Sequence, residues 1–175
     1  SYSKINSQVY PSTITYTNFG QNTGVFSIQF TLENRPDTAT NSRPGFMINI
    51  TKRIQKIESY IGANLVGRYS LSYEQAPVNN RSRLSAIQFT GYDQLNQPTS
   101  EQPTQFAYSS ISATGLLTQI TQPTGGTTTV NYKPATQYRD SNNQLLNPDL
   151  PFGIYAVQQL LYNDGNNVTW ANTYE

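Results

Sequence analysis

The chain has no histidine and no cysteine among its 175 residues. Without histidine it lacks the usual general base near neutral pH and the commonest zinc ligand. Without cysteine it can form neither a disulfide nor a thiolate metal site. That second absence assigns no compartment. Charge is also scarce: 12% of residues are Asp, Glu, Lys or Arg, against about 25% in ordinary globular chains. The net charge is +1 and no basic stripe is visible, so nothing electrostatic points to nucleic acid or to an anionic membrane. No apolar run approaches the roughly 18 residues that a spanning helix requires. The opening residues, SYSKINSQVYPS, hold no signal-peptide core.

What is abundant is uncharged and polar, interleaved with rings: 13 Tyr, 7 Phe and one Trp. Thr and Tyr suit a pleated surface, and the length allows one domain with a core or two small sheets in tandem. The stretch from Arg53 to Phe89 carries the clearest pattern. Leu65, Gly67, Tyr69, Leu71 and Tyr73 share one parity; Val66, Arg68, Ser70, Ser72 and Glu74 share the other. A period of two over so many residues predicts a strand with one buried face. Gly62-Ala63-Asn64 turns the chain back onto the strand around Ile54 and Ile57, and Pro77 with Asn79-Asn80 forms the next turn. In the returning strand Leu84 and Ala86 share one parity, Ile87 and Phe89 the other, which a bulge near Ala86 would reconcile.

Upstream, Ile14 and Tyr16 mark a half-buried strand, NFGQNTG a turn, and Phe26, Ile28, Phe30 and Leu32 the second arm of a hairpin. Asn34 to Gly45, with two prolines, reads as a surface loop before a strand restarts at Phe46 to Ile50. Downstream, GYDQLNQPTSEQPTQ reads as a polar loop and Phe106 with Tyr108 as a short strand. Gly125-Gly126 closes a hairpin between Leu117–Ile120 and Thr127–Tyr132, and Gln137 to Pro151 is a third loop. A last hairpin runs from Ile154 to Tyr162, through Asn163-Asp164-Gly165-Asn166-Asn167, to Val168, Trp170 and Asn172. No helical period emerges; Gln158-Gln159-Leu160-Leu161 is the most ambiguous spot. The expectation is an all-β chain of about ten to twelve strands, made of antiparallel meanders and hairpins. These form either two packed sheets or an open curved shell. A seam at SSISATG divides it into segments 1–109 and 110–175, continuous with one another.

Chemistry is harder to find. The acids Glu33, Asp37, Glu58, Glu74, Asp93, Glu101, Asp140, Asp149, Asp164 and Glu175 are dispersed, and a glycosidase needs two that converge. Asn163 to Asn167 offers oxygen ligands but lacks the spacing of a calcium loop, so it reads as turn chemistry. Arg35-Pro36-Asp37 reads as a loop anchor rather than a recognition motif. Tyr69, Tyr73, Phe26, Phe30, Phe106 and Tyr132 are assigned to the core, and Tyr60, Tyr92, Tyr138 and Trp170 are left freer. The sequence therefore nominates no catalytic, cofactor or metal residue, and no cofactor.

Three stretches resemble a known family. They are Tyr69-Leu71-Tyr73 running through a polar turn into Ser82-Arg83-Leu84 and Ile87; the lead-in Tyr10-Pro11-Ser12, Ile14 to Thr17, Phe30 and Arg35-Pro36-Asp37; and GLLTQITQPTGGTTTVNYKPAT followed by LPFGIYAVQQLLYNDGNN. They are similar to SpvB-type proteins and the B components of insecticidal toxin complexes, relatives of Rhs/YD-repeat proteins. The resemblance implies a fragment of a large bacterial protein, secreted or at the cell surface, whose shell encloses and delivers a toxic C-terminal part encoded further along the chain. Its partners would be the rest of its own polypeptide and other toxin-complex subunits. The competing expectation is a cell-surface β-sandwich that binds a glycan or a protein. Sheet edges discriminate the two: a shell segment leaves them open, and a free-standing module protects them.

Overall fold

The computed structural model describes residues 1–6, 8–110, 115–150 and 152–174. The chain is all-β and antiparallel, with thirteen strands among those residues and one short 3-10 turn, Ala135–Gln137. It divides into two units, Ser1–Pro103 and Thr104–Glu175. The seam expected at SSISATG includes residues 111–114, which lie outside the described residues.

In the first unit β1 (Tyr2–Ile5) and β2 (Gln8–Pro11) form a hairpin. The polar alternation of SYSKIN hides this hairpin in the sequence. The main sheet follows in meander order: β3 (Thr13–Tyr16), β4 (Phe26–Asn41), β5 (Ile48–Ile61), β6 (Asn64–Gln75) and β7 (Ser82–Tyr92). A short β8 (Pro98–Ser100) pairs with the end of β7. Pro98 fits there as the first residue of a short strand, where its missing N–H is tolerated. A strand within the supposed polar loop corrects the sequence reading.

Registers explain where the sequence pattern succeeds and where it breaks. Phe30, Ile57, Tyr69 and Phe89 lie in one cross-strand row, and Leu71 faces Ile87. The bulge expected near Ala86 is present: Ser72 faces Ala86 but Tyr73 faces Leu84, leaving Ser85 extra. A second bulge was not foreseen. Ser59 faces Gly67 while Tyr60 faces Leu65, so Val66 interrupts the alternation that seemed to run from Leu65 to Tyr73. The largest correction concerns Asn34 to Gly45. β4 continues to Asn41, and between Asn34 (opposite Lys52) and Ala39 (opposite Ile50) four residues lie across from Thr51 alone.

The second unit is a five-stranded meander: β9 (Thr104–Tyr108), β10 (Leu117–Thr121), β11 (Thr127–Pro134), β12 (Tyr155–Asn163) and β13 (Thr169–Thr173). The ambiguous Gln158 to Leu161 is plainly strand. Phe106, Ile120, Thr128, Tyr162 and Trp170 form one row, while Gln159 and Asn131 pair on the polar side.

In the second unit the strands make a single layer; in the first the main sheet does, with the β1–β2 hairpin a separate two-stranded sheet that meets β5 through Tyr10, and the apolar side is left half open. Among the described residues no side chain is fully buried, and only Tyr10 and Ala76 form what can be called a hydrophobic core. Tyr69, assigned to the core from parity, is 47% exposed, and Phe26, Phe30, Tyr73, Phe106 and Tyr132 are half-buried. Tyr60, Tyr92 and Tyr138, read as freer, are likewise half-buried, whereas Trp170 is 52% exposed. Alternation identifies which face is apolar; it does not say that anything covers it. The accessible surface is 11972 Å². A compact monomer of this mass exposes about 8,600 Å², and two separate globules of the two units' sizes about 10,000 Å².

Candidate functional site

The four-residue bulge in β4 builds the most connected polar cluster. Because the bulge withdraws β4 from Thr51, that amide lacks a strand partner, and the buried Tyr10 on β2 supplies one. The Tyr10 hydroxyl accepts the N–H of Thr51 at 3.0 Å and that of Lys52 at 3.3 Å. The bulge meanwhile carries Asp37 over to the start of β7. Arg35 Nη2 donates to Asp37 Oδ2 at 2.9 Å, the Ser82 N–H donates to Oδ2 at 2.8 Å, and the Ser82 hydroxyl donates to Oδ1. Arg53 on β5 closes the ring: Nη1 donates to Ser82 Oγ at 2.7 Å and Nε to Glu33 at 2.5 Å. Its guanidinium lies 4.1 Å from the centre of the Tyr73 ring, and Tyr73 donates to the Ile54 carbonyl at 2.7 Å. Side chains of β4, β5, β6 and β7 are thus joined in one clasp. The anchoring role read from Arg35-Pro36-Asp37 holds, although the residues sit in a bulged strand and not in a surface loop.

The electrostatics are those of a fastening. The Arg35 hydrogen bond holds the Asp37 carboxyl well below the usual carboxylate range, assisted by Ser82 and opposed by burial. Asp37 in turn raises the Arg35 guanidinium. Burial pushes the Tyr73 hydroxyl up, with Arg53 opposing; burial, then Glu58, pushes Tyr60 up. Each shift fixes the ordinary charge state more firmly, whereas general acid–base chemistry needs groups brought toward neutrality.

Five of the other acids are also engaged. Glu58 pairs with Arg68 at 2.7 Å and Glu74 with Arg83 at 2.5 Å, both across adjacent strands. Arg68 also lies 5.3 Å from the centre of the Tyr92 ring. Asp93, Asp140 and Asp164 share one arrangement. In each, Oδ1 accepts the N–H two and four residues on: Leu95 and Gln97, Asn142 and Gln144, Asn166 and Val168. In each, the residue three on is an asparagine at positive φ: Asn96 at 62°, Asn143 at 63° and Asn167 at 71°. The pairs Tyr92–Pro98, Arg139–Leu145 and Asn163–Thr169 close all three as five-residue turns. The spacing Asp-x-x-Asn is legible in the sequence, but it is inconspicuous among so many polar residues. The Asp164 oxygen that suggested a calcium ligand is committed to its own turn. No group of three or more acidic side chains gathers as a metal site among the described residues.

Besides a concavity of about 360 Å³ at the clasp, lined by Arg35, Asp37 and Arg81, and one of about 330 Å³ beside Tyr2 and Ile14, two more open among the described residues. One, about 630 Å³, opens between the β5–β6 and β7–β8 turns and is lined by Ile61, Leu65, Tyr92 and Leu95. The other, about 260 Å³, lies beside Trp170 and Tyr162, whose rings stack at 5.3 Å and 13°. Neither contains a charge-shifted group or a converging set of acids. No helix among the described residues is long and apolar enough to cross a membrane. No family model and no curated protein matches the chain.

Proposed function

We propose that this chain is a structural wall segment of a large secreted bacterial protein of the SpvB and toxin-complex B kind, without catalysis of its own. The observation that carries this reading is the uncovered apolar face. Two single-layer meanders present rows of aromatic and aliphatic side chains, yet among the described residues no side chain is fully buried. Such a sheet is stable as part of a larger enclosure that covers this face. Three hairpin turns of one design suit a wall built by repetition, and the polar network fastens strands together without poising any group for reaction.

Open edges favour the wall over a free-standing binding module. β13 is exposed along its length and carries no charge, proline or bulge to blunt it. Hydroxyl-radical footprinting tests the proposal by comparing the isolated chain with the longer polypeptide that contains it. Tyr16, Tyr69 and Trp170 should be labelled strongly in isolation and protected in the longer chain. Equal labelling in both would overturn the reading, as would turnover of any substrate lost on replacing one carboxylate.

A further inference from the structure

Asp164 is the chain's one aspartate or asparagine followed directly by glycine. Glycine has no Cβ to shield its amide and leaves the backbone free to turn, so the pairing invites an internal reaction. The Gly165 nitrogen attacks Cγ of Asp164 and a new C–N bond closes a succinimide ring. The amide hydrogen and the carboxyl OH leave as water. Water then reopens the ring at either carbonyl. One opening restores aspartate; the other gives isoaspartate, whose main chain runs through the side-chain carbonyl and is one methylene longer. The balance needs no oxidant and no cofactor.

Contacts in the folded chain oppose each requirement of that reaction. The Gly165 N–H donates to Asn163 Oδ1 at 2.7 Å, so the hydrogen that must leave is engaged by the residue before the aspartate. Asp164 Oδ1 is drawn forward, accepting the Asn166 N–H at 2.7 Å and the Val168 N–H at 3.1 Å. Gly165 has φ 86° and is wedged: a Cβ there would lie 3.0 Å from the Gly125 carbonyl carbon and 3.1 Å from the Gly126 nitrogen. The β12–β13 turn thus packs backbone to backbone on the β10–β11 turn, which restricts the swing that would bring nitrogen and Cγ together. Asp93 and Asp140 share the turn design but are followed by Gln94 and Ser141, whose side chains hinder attack. We propose that Asp164–Gly165 is a site of spontaneous isomerisation, held latent by Asn163 and the β10–β11 turn and released when this end of the second unit opens locally. Trp170 stacks on Tyr162 at 5.3 Å, one rung from the turn. The added methylene would displace that rung.

Ageing the full chain near neutral pH tests this, read with a protease that cuts before aspartate but not before isoaspartate. Folded chain should stay fully cut at Asp164, whereas chain kept in urea should become resistant there ahead of Asp93 and Asp140. Asn163→Ala should speed conversion of the folded chain about two- to tenfold, the factor that one lost hydrogen bond is worth. Tyr10→Phe, which weakens the other unit, should leave the rate unchanged; this separates a local guard from a general loss of stability. The chain has one Trp, and its emission should shift red as conversion parts Trp170 from Tyr162. Asp164→Asn keeps the accepting oxygen, and because its ring closure expels ammonia it reports through a gained negative charge; that change too should be slow folded and fast in urea. Conversion as fast in the folded chain as in urea would overturn the proposal. So would an Asn163→Ala chain of unchanged circular dichroism that ages at the wild-type rate.

Discussion

The hydroxyl of Tyr10 stands where a strand should be. It receives the Thr51 N–H at 3.0 Å, opposite the point where β4 bulges away. Removing it leaves an amide buried without a partner. Tyr10→Phe is expected to lower stability by about 1–3 kcal/mol, read from denaturant midpoints. The same change at Tyr2, which is 77% exposed, should alter stability by less than about 0.5 kcal/mol. Equal effects would show that the phenol contributes only its ring.

Asp37 sets the acid response of the clasp. Its carboxyl is held low in the folded chain, whereas an unfolded aspartate titrates near 3.9. A depressed folded pKa gives stability that is fully present above the unfolded value and lost as pH falls through the folded one. The stability difference between wild type and Asp37→Asn should therefore be flat from pH 5 to 8, narrowing only below about pH 4. Narrowing already at pH 6 would mean that another group governs it.

The three aspartate turns should respond alike. Asn96, Asn143 and Asn167 occupy the left-handed region, which alanine enters at a cost of about 1–2 kcal/mol and glycine enters freely. Alanine at each position should lower the melting temperature, while glycine should preserve or raise it. If alanine and glycine behave identically at Asn143, the turn there is not held in the conformation described.

Calcium should leave the melting point unchanged, because a ligand held only by the folded state raises it by mass action and Asp164 Oδ1 already accepts two amides. A rise of several degrees at millimolar calcium, lost in Asp164→Ala, would restore the metal reading.

Strand content was legible because Phe26 to Leu32 and Tyr69 to Tyr73 alternate cleanly, and parity even located the bulge beside Ala86. Two things were not legible. A wide bulge such as Arg35–Thr38 looks like a loop, since proline and charge are what both contain; only the resumption of pairing at Ala39 distinguishes them. Burial was overestimated for a different reason. Tyr69 alternates as a core residue does, but the layer that would bury it belongs to no strand of its unit. The clasp was visible only in part. Arg35 and Asp37 are neighbours in sequence, whereas Ser82 lies 45 residues beyond Asp37 and nothing local announces the contact.

The Asp37–Ser82 tie has a mechanical meaning. A meander pulled from its first strand peels like a zip, one rung at a time, and each rung is weak. Here β4 is fastened to β7 over the two strands between them. A force that reaches β4 must load four strands together, so tearing from that side stops at the clasp until Arg35, Asp37 and Ser82 part at once.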